Sequence, residues 1–343
     1  MADMPWPGAV AVSGGGDSLA LMQLLAGWAR ARKAAPPLVL IVDHGLRKES
    51  GREARQVARW ARALGLKCEI LTVKGAKPAS DIEAWARQAR LSLMGARLAR
   101  HGLTTLYLGH HQDDQAETFL LRLARGSGLD GLSAMQRLAP FPHPDFAALA
   151  VARPLLAISR AALQDYLKRR KQDWLEDPMN GEARFARSRI RALLPLLAEA
   201  GLTSRRIADA AAHLARARQA LDLATAAVLA RALHRVEGRQ EDGVVLLDPE
   251  ALAAAPREIG LRALAALLGT VSGAVYRPRF DALESLFDRL AASGSRAGSR
   301  TGLGGGVTLH GCRIGPAPVR YQAFGPKTLV IAKESSRGRG RSA

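Results

Sequence analysis

The sequence predicts an α/β fold: a parallel, doubly wound sheet, followed by a helical linker and a smaller C-terminal α+β domain. Short apolar segments alternate with helix-period segments from Ala9 to about Val151. This alternation is typical of a parallel sheet with helices on both faces. After Ser159 the strand-like segments stop and a helical, basic stretch follows. Strand-like segments return later between helices, which indicates a second, smaller unit.

Five segments of the first half read as buried strands, because each is short, apolar and followed by a turn or a helix. They are Gly8–Val12, Leu38–His44, Cys68–Val73, Thr105–His110 and Ala148–Leu156. Helices are predicted after the glycines at 14–16, over 49–65 and over 81–102, the last capped by Asp81. Ligands of such sheets bind beyond the carboxyl ends of the strands, so we expect the site there.

The chain is expected to divide into four segments. Residues 1–158 form the sheet domain, 159–220 a basic helical region and linker, and 221–325 a small recognition domain. The recognition domain is expected to contain a strand over 243–248 and a β element over 307–314. Residues 326–343 are expected to be a disordered basic tail, because "SSRGRGRSA" is of low complexity.

Composition limits the classes of function. The 343 residues carry a net charge of +19, which favours a polyanionic partner such as nucleic acid. The two cysteines form no CxxC pair, which excludes a zinc ribbon, a thiol redox pair and an iron–sulfur cluster. No basic leader and no run of about 18 apolar residues is present, so we expect a cytoplasmic protein with no membrane partner.

The stretch "AVSGGGDSLALMQLL" places three glycines between the first strand and the first helix. Glycines let the backbone approach a ligand closely, and the N–H groups of such a loop suit a phosphate. The stretch does not match the GxxxxGK[ST] loop, because the acid Asp17 follows the glycines. We expect Asp17 to hold Mg²⁺ against the phosphates. The simpler alternative is that Asp17 or Ser18 caps the helix. The residues expected to bind the phosphates are Ser13, Gly14, Gly15, Gly16, Asp17 and Ser18.

The densest polar cluster is "GHHQDDQAETFLLRLARGSGLDGL". Asp113, Asp114 and Glu117 crowd the first turn of a helix, where carboxylates are also favoured by the helix dipole alone. Asp114 and Glu117 are three residues apart and can face one pocket. The buried side of this helix is expected to be Ala116, Phe119, Leu120 and Leu123.

Arginines recur in two stretches. "WARQAR" places Arg87 and Arg90 close together on a helix, and "FARSRIRALLP" contains Arg184, Arg187, Arg189 and Arg191. Surface arginines are the commoner explanation for the first pair. Arginine forks suit phosphates and RNA backbones, so we expect the second group to hold RNA.

Six stretches together resemble the N-type ATP pyrophosphatases, or PP-loop proteins, and within them the tRNA(Ile)-lysidine synthetase family. They are "SGGGDSLAL", "VDHGLR", "ARQAR", "HHQDDQAETFLLRLARGSGLDGLSAM", "RPLL" and "EDPMN…RSRIRALLPLL", in order from Ser13 to Leu197. Three positions depart from the family pattern. Leu91 stands where the family usually has tyrosine, Ser188 where it has asparagine and Met179 where it often has serine.

The resemblance implies a two-step reaction on tRNA(Ile) with a CAU anticodon. ATP, with Mg²⁺, would adenylate the C2 oxygen of the wobble cytidine and release pyrophosphate; the ε-amine of free L-lysine would then displace AMP and give lysidine. A second recognition surface for the tRNA would lie over about 203–321. The residues implied as catalytic are Asp17, Asp114, Glu117, Arg87 and Arg187. Those implied to bind ATP, besides the glycine loop, are Asp43, His44 and His110.

Two other functions remain open. A different PP-loop ATP pyrophosphatase, such as a tRNA thiolase or an amidotransferase-type synthetase, would act on another acceptor. Thiolases of this kind rely on cysteines, and Cys68 and Cys312 fit no such pattern. A non-catalytic basic RNA-binding protein on a degenerate nucleotide fold is the third possibility, and the intact SGGGDS loop argues against it.

Overall fold

A computed structural model describes residues 4–45, 49–75, 78, 80–176, 186–234, 244–274, 276–294, 303 and 306–334. The chain divides into two compact units, Met1–Arg216 and Ala217–Ala343. The four-segment division at 158, 220 and 325 stays a prediction.

A six-stranded sheet forms the centre of the first unit. Its strands are β1 (Ala9–Ala11), β2 (Leu38–Asp43), β3 (Cys68–Thr72), β4 (Thr105–Tyr107), β5 (Leu138–Pro140) and β6 (Ala150–Ala152). They are ordered β3-β2-β1-β4-β6-β5, and all neighbours are parallel except β5 and β6. The α/β fold class and the five predicted strands are confirmed. The antiparallel edge strand β5 escaped prediction because it is short, largely exposed and ends in a proline.

Helices alternate with these strands and continue after them. They are α1 (Gly16–Ala31), α2 (Ser50–Ala63), α3 (Ile82–Arg100), α4 (Gln112–Leu123), α5 (Leu129–Leu132), α6 (Arg160–Arg169), α7 (Ala186–Glu199) and α8 (Ser204–Ala232), whose last part belongs to the second unit. Alternate strand residues supply two cores: Val10 packs in the cluster formed with α1 and α2, and Ala9 packs in the cluster formed with α3. Asp81 precedes α3, but its side chain makes no capping hydrogen bond, contrary to expectation.

The buried face of α4 differs from the prediction. Leu123 is exposed, and Phe119 and Leu120 are only partly buried. The polar side chains of Gln115, Glu117 and Thr118 are buried beside Ala116 instead. Gln115 bonds to the backbone of Met135 and Glu117 pairs with Arg191, so part of this polar side has partners, and the helix lies at the carboxyl edge of the sheet where the site was expected.

In its described residues, the second unit contains an antiparallel sheet and three further helices. Its strands are β7 (Leu233–His234), β8 (Val244–Leu247), β9 (Val307–Leu309), β10 (Cys312–Pro316) and β11 (Leu329–Lys333), ordered β7-β8-β11-β10-β9. The helices are α9 (Pro249–Ala253), α10 (Arg257–Ser272) and α11 (Phe280–Gly294). The predicted strands at 243–248 and 307–314 are confirmed, and so is the α+β character of this unit.

The prediction that residues 326–343 are a disordered tail is wrong for the first part of this segment. Strand β11 lies in the middle of the second sheet, paired with β8 and β10, and its Leu329 and Ile331 are fully buried. The stretch "LVIA" is a short, continuous apolar run typical of a buried strand, and the neighbouring basic repeat obscured it. Residues 335–343 lie outside the described residues. None of the helices in the described ranges has the length and apolar character needed to cross a bilayer.

Candidate functional site

The glycine loop joins β1 to α1. Ser18 Oγ donates a hydrogen bond to the carbonyl of Gly15 at 2.9 Å and accepts one from the backbone N–H of Ser13 at 3.2 Å. Gly15 occupies the N-cap position, so Asp17 and Ser18 lie inside the first turn. Neither side chain acts as the N-cap, and the capping alternative is therefore wrong. The first-turn N–H groups of α1 have no intrahelical partners and are available to an anion.

The segment after α6 packs against this loop. The backbone N–H of Leu175 donates to the carbonyl of Gly14 at 2.9 Å, and the Trp174 side chain approaches Gly16. On the helix side, Gln23 Nε2 donates to Gln172 Oε1 at 3.0 Å. These contacts fix the loop between α1 and residues 172–175.

Replacing Gly14 with alanine is expected to destabilise the loop. Gly14 has φ +98°, and an added Cβ would lie 2.6 Å from Leu175 Cδ1 and 2.9 Å from Val57 Cγ2. We expect a loss of about 1–3 kcal/mol in the free energy of unfolding from the backbone strain alone, together with weaker ATP binding. Gly65→Ala is the matched control, because Gly65 has φ +75° with open space around it. Equal ATP affinity in the two variants would contradict this expectation.

A cavity of about 840 Å³ opens beside the loop. Apolar side chains from the strands, including Ala11, Ile41 and Val42, line one part of it. The guanidinium-bearing residues Arg90 and Arg191 line another part. A cavity that combines an apolar wall, a glycine loop and cations can accommodate the base and the phosphates of a nucleotide.

His111 lies among three carboxylates. Its Nε2 is 3.4 Å from Asp17 Oδ2 and 3.4 Å from Asp114 Oδ2, and its Nδ1 is 3.5 Å from Asp113 Oδ2. Burial lowers the pKa of a histidine, but the carboxylates of Asp113 and Asp17 and the charge of Asp114 outweigh it. Together they raise the pKa of His111 to about 10. The imidazolium thus joins the glycine loop to the first turn of α4.

The neighbouring His110 behaves in the opposite way. Burial, followed by the charges of nearby arginines, lowers the pKa of His110 to about 3. His110 is therefore neutral near pH 7. The arginines that contribute are Arg153, Arg187, Arg90 and Arg87, from α3, α7 and the end of β6.

Two carboxylates also fix the start of α4. Asp114 Oδ2 accepts a hydrogen bond from the backbone N–H of His111 at 3.0 Å. Asp113 Oδ2 accepts one from the backbone N–H of Arg160, the first residue of α6, at 2.8 Å. The side-chain interaction between Asp113 and His111 is the main reason that the pKa of Asp113 falls to about 2. Asp113 and Asp114 therefore stabilise the start of α4, in addition to any role in binding.

Glu117 forms an ion pair with α7. Arg191 Nε donates to Glu117 Oε1 at 2.7 Å, and this pairing raises the pKa of the arginine. Only 2% of the Glu117 side chain is exposed. Its second oxygen, Oε2, is buried without a hydrogen-bond partner among the described residues. One acceptor of Glu117 is consequently unused among the described residues, and neither Glu117 nor Asp114 lines the cavity.

The structure brings together most of the predicted ATP-binding residues. Asp43 does not line the cavity; its Oδ1 accepts hydrogen bonds from the backbone of Gly45 and from Ser50 Oγ, at the start of α2. Arg87 and Arg187 are exposed and lie near His110. The predicted residues that line the cavity are Ser13, Gly15, Gly16, Asp17, Ser18, His44 and His110.

Four contributors were not chosen from the sequence. His111 and Asp113 stand within the polar cluster, so proximity to Asp114 was the available signal. Arg191 belongs to the predicted RNA-binding run, and its pairing with Glu117 depends on tertiary packing. Trp174 precedes "EDPMN" and carries no signal of its own.

The departures from the family pattern have different surroundings. Leu91 is buried with Met94 and Leu98 in the core beneath α3, so an apolar residue suits the position. Ser188 lies on α7. Met179 and Arg184 lie outside the described residues.

A family model for the PP-loop domain matches residues 7–197. Among solved structures, the U34-tRNA thiolase NcsA from Methanococcus maripaludis, with its [4Fe-4S] cluster, superposes with a TM-score of 0.50 at 17% identity. The match covers 61% of this chain and 71% of the thiolase, and it supports the fold alone. In this chain, Cys68 and Cys312 belong to different units, and each thiol donates to a backbone carbonyl.

Curated tRNA(Ile)-lysidine synthases match most of the chain. The protein from Ruegeria pomeroyi is 42% identical over 89% of this chain and 70% of its own length. Those from Bradyrhizobium diazoefficiens and Methylobacterium nodulans are 39% and 41% identical, over 91% and 88% of this chain and 90% and 86% of theirs. The chain therefore belongs to the tRNA(Ile)-lysidine synthase family of PP-loop proteins.

Proposed function

We propose that the protein is a ligase that uses ATP to attach lysine to the wobble cytidine of tRNA(Ile) with a CAU anticodon. The similarity to lysidine synthases along about nine-tenths of the chain is the observation that carries this proposal. The reaction has two steps. The C2 oxygen of the cytidine attacks the α-phosphorus of ATP and pyrophosphate leaves; the ε-amine of lysine then attacks C2, and AMP leaves with release of a proton.

The glycine loop and the cavity would hold ATP. The first-turn N–H groups of α1 would receive the β- and γ-phosphates, and the apolar wall at Ala11, Ile41 and Val42 would contact the adenine. This arrangement would place the leaving pyrophosphate at the helix start, where a P-loop lysine is not required. It supports chemistry at the α-phosphorus rather than transfer of the γ-phosphate.

Mg²⁺ would be held at the loop by Asp17, which lines the cavity beside the phosphate-binding helix start. Asp17 Oδ2 and Asp114 Oδ2 each lie 3.4 Å from the imidazolium nitrogen Nε2 of His111, which pairs with both carboxylates. Mg²⁺ is usually held by one or two carboxylates with phosphate oxygens and water. Asp17 would be its principal protein ligand. When bound, the ion would neutralise charge on the phosphates.

Glu117 is the best candidate for contact with lysine. The incoming amine needs a buried acceptor, and Glu117 Oε2 has no hydrogen-bond partner among the described residues. A carboxylate there can orient the amine and accept its proton. Arg187, exposed on α7, and Arg87 would contact the anionic RNA.

The assay that tests the function is incorporation of labelled lysine into a tRNA(Ile) transcript with a CAU anticodon. We expect lysine to become attached only when ATP is present, with equal amounts of AMP and pyrophosphate released. A transcript with guanosine at the wobble position is the matched control. Pyrophosphate release without lysine attachment would instead indicate a PP-loop enzyme acting on another acceptor. Binding without any pyrophosphate release would indicate a non-catalytic RNA-binding protein.

A further inference from the structure

Within the second unit, a cavity of about 390 Å³ opens between α8 and α10, beside the segment that joins α10 to α11. Small residues of α10, namely Ala265, Ala266 and Gly269, form one wall. Asp222 and Thr225 of α8 supply polar groups on the opposite side. The volume falls within the range of about 300–1,000 Å³ that is common for sites binding small organic groups.

One exposed aromatic side chain, Tyr276, lines the mouth of this cavity, and a second, Phe280, follows it in the chain without lining the cavity. The joining segment reads "YRPRF", from Tyr276 to Phe280. Tyr276 is 84% exposed, more than any other large apolar side chain in the described part of the chain, and Phe280 is 61% exposed. Large exposed apolar groups near one another on a protein surface often mark a surface used for binding.

The charges of the segment identify the kind of partner. Arg277 and Arg279 alternate with the aromatic residues and are also exposed. An unpaired base stacks well on an aromatic ring, and a guanidinium binds the adjoining phosphate. A protein partner would use the aromatic rings equally well, but two arginines within five residues favour a polyanion.

An ion pair connects the two helices that border the cavity. Arg262 of α10 pairs with Asp222 of α8 at 3.5 Å, and within α10 it also pairs with Glu258 at 2.8 Å. A flat ring entering beside Tyr276 would meet the small side chains of α10 rather than bulky ones, so it needs little rearrangement.

We propose that the segment Tyr276–Phe280 binds an unpaired nucleotide of the RNA substrate, with its base stacked on Tyr276 at the cavity mouth and its phosphates against Arg277 and Arg279. The identity of the RNA rests on the proposed function. The stacking surface is independent of the ATP cavity, since every residue of it belongs to the second unit.

The test uses the full-length protein and measures equilibrium binding of the tRNA(Ile) transcript. Tyr276→Ala is expected to weaken binding by roughly 5- to 100-fold, the effect of losing one stacked base. Tyr276→Phe keeps the ring and is expected to bind like the wild type. The KM for tRNA should rise with the dissociation constant, while kcat for lysine attachment at saturating tRNA stays unchanged. Ultraviolet cross-linking should attach a nucleotide to the peptide that contains Tyr276.

The matched control is Leu223→Ala, because Leu223 is 74% exposed on α8 and does not line the cavity. Equal affinity of Tyr276→Ala and wild type, or an equal loss in Leu223→Ala, would overturn the proposal. So would conversion of a dimer to a monomer by Tyr276→Ala at unchanged tRNA affinity, since a second copy would then cover the segment. If the wild type binds the transcript but attaches no lysine, the proposed function is wrong. The dissociation constants of the variants would still test the stacking proposal.

Discussion

Replacing Asp17 with asparagine is expected to abolish most ATP-dependent chemistry while the protein stays folded. The substitution preserves the size of the side chain but removes the charge that faces His111 and the phosphate-binding helix start. If Asp17 holds a cation against the phosphates, the rate of ATP–pyrophosphate exchange on tRNA should fall by about 10²–10³-fold or more, as when one electrostatic group is removed from an active site. Exchange of labelled pyrophosphate into ATP measures this step without lysine.

The control for this variant is Asp209→Asn. Asp209 lies on α8, is exposed, and pairs at 3.9 Å with Arg205, which is one turn away on the same helix. Its loss should change neither exchange nor stability, because exposed ion pairs of this type contribute little. A folded Asp17→Asn protein that exchanges pyrophosphate at the wild-type rate would show that Asp17 has only a structural role in the first turn of α1.

Much of the first unit was predictable because its signals are local. The inner parallel strands are largely buried and read as apolar runs, as in "LVLIVD", and each helix follows in order. The glycine loop was predictable for the same reason, since the strand, the turn and the helix are contiguous. Strand β11 was not predicted because its pairing with β8 and β10 is non-local and its neighbours are basic.

The site was predictable in its position and only partly in its contacts. The rule that ligands bind at the carboxyl ends of strands placed Asp17, His44 and His110 together, and all three line the cavity. The ion pair between Glu117 and Arg191 joins residues 74 positions apart and follows from the packing of α7 on α4. The spacing of these residues along the sequence does not predict their contact. Likewise, the opposite protonation of His110 and His111 depends on arginines and carboxylates that come from separate elements.

Substitutions of the Glu117–Arg191 pair are expected to affect stability and catalysis differently. Replacing Arg191 with methionine leaves a carboxylate that is 2% exposed without its counter-ion. We expect the free energy of unfolding to fall by about 2–3 kcal/mol, less than the 3–5 kcal/mol of a fully buried pair because Arg191 is 36% exposed. The double variant Glu117→Met/Arg191→Met should recover most of this stability, because apolar side chains of similar volume can replace a buried pair. Denaturant unfolding of the three proteins measures both effects.

Catalysis should not recover with stability. If Glu117 Oε2 contacts the incoming amine, Glu117→Gln and the double variant should both lose lysine attachment, with the KM for lysine raised by about 10²-fold or more. Glu117→Gln should retain pyrophosphate exchange, because adenylation of the cytidine does not involve lysine. Thr118→Val is the matched control, since Thr118 is also buried on α4 and its hydroxyl has no partner among the described residues. A stable Glu117→Gln protein with the KM for lysine of the wild type would restrict Glu117 to pairing with Arg191, and the lysine contact would then have to be made by another group at the carboxyl edge of the sheet.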